Sequence, residues 1–446
     1  MTTPTQTQAP APTPAPAPAG YLAHARRLLS SGLVRSSGIY VASNVLNRAI
    51  PFILLPILTR YLSPEDFGRV TMFTLLVTLL LPVAGLNTDG AVARQFFEPD
   101  RGSFSRYVSS CFAILAATLA VAAVAIWLSS GVISSWSRLP IEWIYAGLLV
   151  AAGRFVSQVA LSRWQMERRP WSYAVYSGLQ TLIVFGVAVS LVVPYRGGWR
   201  GRMAADVIGI TVTALAGVIV LWRAGWLAGR PSWPDARNAL AFGAGLLPHV
   251  YGAALLTGVT DRLFITHLVG LDATGLYAVA LQIAMVVTVL EHSVNQAWIP
   301  WLYARLTSNT AADHDLVRRI THWYYAGILA FALIFAWVAQ RLVVLFVGPT
   351  FGGASQFVQW LALAAAFGGM YKMVVNQIFF VRRTYLLAII TFSVGTFNVV
   401  MTWVLVTRYG ATGAARATAI SQFALFAATA FVSHRLMRDL RSVGAT

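Results

Sequence analysis

Residues 36–59 read SSGIYVASNVLNRAIPFILLPILT, with Arg48 as the single charge among them. As a helix rising ~1.5 Å per residue, such a run covers ~36 Å, enough for a hydrocarbon core ~30 Å thick. Arg26, Arg27 and Arg35 precede it, and no earlier basic-then-apolar segment of signal-peptide length occurs. The run therefore reads as an uncleaved first membrane span whose start faces the cytoplasm. The same pattern recurs along the chain. Of 446 residues 57% are hydrophobic and only 11% charged, with mean hydropathy +0.66, whereas a soluble domain carries about a quarter charged residues. An ordinary water-soluble enzyme is excluded, and an all-α polytopic membrane protein is expected.

Twelve spans are expected, at about 36–59, 70–92, 107–129, 141–162, 171–194, 203–222, 239–264, 275–299, 320–346, 355–379, 385–407 and 412–433. The net charge of +18 would suggest nucleic acid in a soluble protein. Its placement says otherwise: twenty basic residues fall in the segments on the N-terminal side of the membrane and eight on the other. This positive-inside asymmetry puts both termini in the cytoplasm and leaves no role for nucleic acid. The lone cysteine, Cys111, excludes an intrachain disulfide and a cysteine metal cluster.

Residues 1–20 are Pro/Ala/Thr-rich and read as a disordered tail, and 21–35 as a juxtamembrane segment. A six-helix half over 36–222, a cytoplasmic linker at 223–238, a second six-helix half over 239–433 and a tail at 434–446 complete the expected organisation. The halves look related. Leu62-Ser63-Pro64-Glu65-Asp66-Phe67-Gly68 follows span 1, and Val269-Gly270-Leu271-Asp272-Ala273-Thr274-Gly275 follows span 7. Six spans per half give both the same orientation, as in a parallel repeat about an axis along the membrane normal.

Five basic residues remain inside spans: Arg48, Arg154, Arg262, Lys372 and Arg416, with Asp89, Asp206, Asp261 and Glu291 as acidic company. A charge at mid-bilayer costs at least ~2.5–3.5 kcal/mol, so these groups should face one another or a wet interior. Arg48, Arg154 and Lys372 lie too far from the span ends to snorkel easily, and the arginine fork suits phosphate. The net basic excess points to an anionic ligand. Arg262 and Arg416, nearer span ends, are candidates to guide its release. Asp89, Asp261 and Glu291 could carry coupling protons or serve as ion-pair partners. No phosphate loop, zinc-protease or nucleophile-elbow motif occurs, and no cofactor or metal is expected.

The ordered set of Ser43-Asn44 through Leu58 to Gly68, Gly90-Ala91-Val92-Ala93-Arg94, Thr260-Asp261-Arg262 with Gly270 through Tyr277, Phe346-Val347-Gly348-Pro349 to Gly353-Ala354 and Gly410 to Arg416 resembles the polysaccharide-transporter flippases. These form the O-antigen and exopolysaccharide branch of the multidrug/oligosaccharidyl-lipid/polysaccharide exporter superfamily. The resemblance covers about residues 36–435. It implies twelve helices in two six-helix lobes around a V-shaped, central cationic cavity. It also implies transfer of an undecaprenyl-pyrophosphate-linked oligosaccharide from the inner to the outer leaflet of a bacterial cytoplasmic membrane. The protein would work as a monomer, in contact with a polysaccharide polymerase. A cation-coupled multidrug antiporter of the same fold is the nearest rival, and a membrane-embedded polymerase or ligase a more distant one. The basic lumen disfavours the first, and outer loops of only about ten residues disfavour the second.

Overall fold

The computed structural model describes residues 32–98, 104–308, 310–381 and 383–443. The expected N-terminal tail, nearly all of the juxtamembrane segment and the last three residues lie outside them. The described residues form helices and turns without a β-strand. The helices are α1 (Gly32–Tyr61), α2 (Pro64–Leu80), α3 (Thr88–Gln95), α4 (Phe104–Leu128), α5 (Ser130–Ser137), α6 (Ile141–Met166), α7 (Pro170–Val192) and α8 (Gly198–Arg223). There follow α9 (Trp233–Ala254), α10 (Thr260–Leu268), α11 (Leu271–Ser308), α12 (Ala311–Val347), α13 (Ser355–Phe380), α14 (Thr384–Tyr409) and α15 (Ala411–Val443). Ten helices are long and apolar enough to cross a membrane, or eleven if the bent α2–α3 pair counts as one span.

Two of the twelve expected spans are not single helices. The second bends by 54° between α2 and α3. Pro82 cannot donate a backbone hydrogen bond, and Gly85, Leu86 and Asn87 all adopt left-handed backbone (φ 76°, 51° and 56°). The Gly85 N–H leaves the helix ladder and donates to the Thr118 hydroxyl of α4 at 2.9 Å. The seventh is divided by a π-helical turn at Leu255–Val259, where Gly258 has φ +86°. Its two pieces pack differently: α9 lies against α3 and α4, whereas α10 lies against α11, α14 and α15. The linker between α8 and α9 docks too. Ser105 accepts a hydrogen bond from Gly229 N–H (2.7 Å), and Arg106 Nε pairs with Asp235 (2.6 Å).

Helix starts follow ordinary capping chemistry. At α2, the Ser63 hydroxyl accepts from the Asp66 N–H and Asp66 accepts from the Ser63 N–H. At α9 and α12 the Ser232 and Thr310 hydroxyls accept from the Asp235 and Asp313 N–H.

The apolar core is unevenly distributed. Where α1 ends and α2 begins, one buried cluster mixes Leu54, Leu58 and Phe67 with Tyr277, Val347 and Phe357. At the opposite end there are separate clusters. One is built around Tyr107, Phe155 and Trp164, the other around Trp298, Met373 and Leu436. The ends are called below the crossing end and the far end.

Candidate functional site

Two cavities lie inside the helical array. The first, of about 550 Å³, is the more polar and is walled by α1, α2, α3, α6, α7 and α8, with Asn47, Asn87, Asp89, Arg154, Gln158 and Gln180 in its lining. The break in the second span positions one of these groups: left-handed Asn87 has its side-chain Nδ2 buried with no hydrogen-bond partner. Residues forced into such backbone cost ~1–3 kcal/mol and concentrate where function requires them.

The second cavity, of about 770 Å³, is lined from both halves of the chain. Leu54, Leu58, Phe67 and Val70 give it an apolar wall on one side, and Leu281 and Leu361 on the other. Into this surface project Arg202, Arg262 and Lys372, with the acids Asp261 and Glu291. Thr74 and Arg202 belong to both cavities.

The structure divides the residues singled out by sequence. Arg154 lines the polar cavity with Asp89, and no ion pair among the described residues includes Arg154. Arg48 lies on α1, but its side chain is outside the described set. Its neighbour Asn47 lines the polar cavity and accepts from the Thr181 hydroxyl at 3.1 Å. Lys372 on α13 is bound to Glu291 on α11, Nζ to Oε1, at 2.7 Å. The other oxygen of Glu291 is buried without a partner. Glu291 is the buried member, its side chain 4% exposed against 30% for Lys372, and a carboxylate so placed is costly unless the lysine stays beside it. Arg416 stands apart from both cavity walls. Its guanidinium lies over the rings of Tyr409 (4.9 Å) and Trp360 (5.5 Å), an arrangement that holds a cation by ring quadrupoles.

Asp261 has the most specialised surroundings. It is 1% exposed, and three hydroxyls converge on it. Tyr277 and Thr418 each donate to Oδ2 at 2.6 Å, and Thr402 donates to Oδ1 at 3.3 Å. These donors come from α11, α15 and α14, so the carboxylate ties three helices to α10. No ion pair among the described residues includes it. The sequence does not single out the three hydroxyls, nor Arg202, which falls one residue before the span expected at 203–222. In the structure α8 begins at Gly198, so Arg202 and Asp206 fall on a formed helix, 2.8 Å apart. Their four-residue spacing was the available signal.

At the crossing end the two matched loops meet. A methyl group on Gly68 would overlap the Leu271 carbonyl oxygen, and one on Gly275 would overlap the Pro64 carbonyl oxygen. Both matched pairs, Gly68 with Gly275 and Pro64 with Leu271, are separated by the same 207 residues. The contact is therefore reciprocal between α2 and α11. Only glycine lets two backbones approach so closely.

Comparison with known proteins places this geometry. Protein 1 of the Lsg locus of Haemophilus influenzae is 24% identical over 361 residues, covering 79% of this chain and 86% of the relative. An uncharacterised membrane protein of the same organism is 24% identical over 360 residues, covering 79% and 85%. Among solved structures, the lipid II flippase MurJ in an inward closed conformation superposes with a TM-score of 0.70 at 11% identity, covering 88% of this chain and 87% of that one. An inward-facing multidrug-resistance transporter of the MATE family gives 0.67 at 14% identity, covering 89% and 96%. These likenesses establish the fold. Residues 33–304, more than half of the chain, match the polysaccharide biosynthesis protein family model. The chain is a multi-pass membrane protein belonging to the polysaccharide biosynthesis protein family.

Proposed function

We propose that this protein is a flippase for a lipid-linked oligosaccharide, carrying an undecaprenyl-pyrophosphate headgroup from the inner to the outer leaflet. The observation that carries the reading is the second cavity, where three cations stand in an apolar wall supplied by both halves. A pyrophosphate needs the cations, and the prenyl chain needs lipid beside them. The family match to polysaccharide biosynthesis supports the same cargo, and the basic excess disfavours an organic cation.

In this reading residues 36–222 and 239–433 are two lobes of six spans, giving twelve in total, with 223–238 as the linker. Both termini face the cytoplasm, and the crossing end is the outer face. The core shared at the crossing end and the separate cores at the far end fit a lumen closed outside and accessible from inside. Arg48, Arg154, Lys372 and Arg262 would neutralise the headgroup, while Arg416, clamped by its rings, would act later, near release. Transport then requires contacts that differ between inward- and outward-open states. Asp261 is the candidate coupling group. A buried carboxylate satisfied by hydroxyls, without a permanent cation, can accept a proton or small cation and release it as the surrounding helices move.

The test is headgroup transfer in proteoliposomes with undecaprenyl-pyrophosphoryl-N-acetylglucosamine as probe. Arg48→Gln, Arg154→Gln and Lys372→Gln, made singly, are each expected to slow transfer about tenfold, since charged hydrogen bonds contribute ~1.5–3 kcal/mol. Full transfer by all three variants sinks the lumen assignment. Asp261→Asn should leave equilibration down a gradient and abolish accumulation against one.

A further inference from the structure

Arg202 is the cation common to the two cavities, and its surroundings are incomplete. Its side chain is 17% exposed and that of Asp206 is 13% exposed. Although Nη1 lies 2.8 Å from Asp206 Oδ1, no N–H aligns with an acceptor, and Nη1 is buried without a hydrogen bond. The proximity compensates the charge but leaves the donors of the guanidinium unspent. Arg262, on the wall of the same second cavity, likewise has Nε buried without a partner. Two arginines, each with a buried nitrogen that lacks an aligned acceptor, therefore line one cavity at the same end of the molecule.

Helix stabilisation does not account for Arg202. It sits early in α8, where the helix dipole favours an anion rather than a cation. The order is also unfavourable, because pairs four apart stabilise best with the acid N-terminal to the base. A planar donor fork short of acceptors is instead what bidentate phosphate recognition uses.

We propose that Arg202, held by Asp206 and acting with Arg262, is an anion-binding residue at the junction of the two cavities, and that its ligand is the phosphate ester of a lipid-linked cargo. The assignment rests on the flippase reading and adds to it a specific contact. Arg154 on the side of the polar cavity and Lys372 and Arg262 on the side of the second one then have Arg202 between them, the cation that the two cavities share. Arg202 lets an anion pass between the polar chamber and the apolar-walled one without losing its counter-charge.

The experiment measures binding of farnesyl pyrophosphate and of farnesol to the purified full-length protein in detergent, by tryptophan fluorescence. Arg202→Gln should weaken farnesyl pyrophosphate binding at least tenfold and leave farnesol unchanged. Arg202→Lys, which keeps charge but loses the fork, should weaken it about threefold. Asp206→Asn should bind as tightly as wild type or tighter, because it removes a negative charge that repels the phosphate. The exchange variant Arg202→Asp with Asp206→Arg should fail to restore binding. If Asp206→Asn weakens binding as much as Arg202→Gln, or if the exchange variant restores it, the pair is structural and the assignment is wrong. A wild-type protein that binds both lipids alike overturns the flippase reading, and the Arg202 assignment with it.

Discussion

The two ends of the molecule are held by different physics. At the crossing end α2 and α11 touch backbone to backbone at Gly68 and Gly275, over a core drawn from both halves. No ion pair among the described residues spans that contact: Glu65 and Asp66 turn to Arg69 on their own helix. At the far end the core is split in two, α9 adding Ala239 to the cluster around Tyr107 and Phe155, and α9 also docks on α4 through polar contacts such as Arg106–Asp235. The crossing is closely packed but not tied. Van der Waals fit loses a quarter to a half of its attraction over a gap of ~0.5–1 Å and regains it on closure, so such a contact can open and re-form without stripping charges.

The sharpest way to break this contrast is Gly275→Ala. Alanine is the better helix former by ~1 kcal/mol, yet its methyl would overlap the Pro64 carbonyl oxygen, and overpacking of this kind costs ~1–3 kcal/mol. The variant should lower the melting temperature by several degrees and raise labelling of a Thr71→Cys probe from the outer side. Thr71 lines the second cavity and is buried. Gly178→Ala, where a methyl meets nothing within 4 Å, is the control and should melt at or above wild type. Equal behaviour of the two would remove the crossing from the argument.

A smaller effect is expected from Gly243→Ala on α9, whose methyl would overlap the Leu86 carbonyl oxygen at the break of the second span. It should destabilise by about 1 kcal/mol in thermal unfolding without raising outer-side labelling of the Thr71→Cys probe. The smallest is Arg106→Gln. That pair is exposed, with half the arginine side chain in solvent, and should contribute no more than about 0.5 kcal/mol, falling as salt is added.

Most of the architecture was legible because hydropathy is a summed property, and runs such as 107–129 declare themselves without any detail of packing. The matched loops were legible for the same reason that they pack: an acid near a glycine at a helix start serves both capping and close approach. What escaped was local. The break at Gly85–Asn87 lies inside a stretch that stays apolar, so only Pro82 and Gly85 mark it. Arg202 falls just outside the expected span at 203–222 because an arginine and its neighbours depress the apparent edge of a span. The hydroxyls of Thr402 and Thr418 were indistinguishable from those that merely bond back to their own helix, as Thr407 does to Trp403. Convergence on Asp261 from three helices has no sequence signature.

The reciprocal glycine contact has a consequence for how the crossing can vary. In a twofold-symmetric dimer, residue i of one subunit meets residue j of its partner while j meets i, and Gly68, Leu271, Gly275 and Pro64 reproduce that rule within a single polypeptide. Neither glycine can therefore make room for a change at the other, since a side chain gained at either position collides with the backbone of the opposite helix.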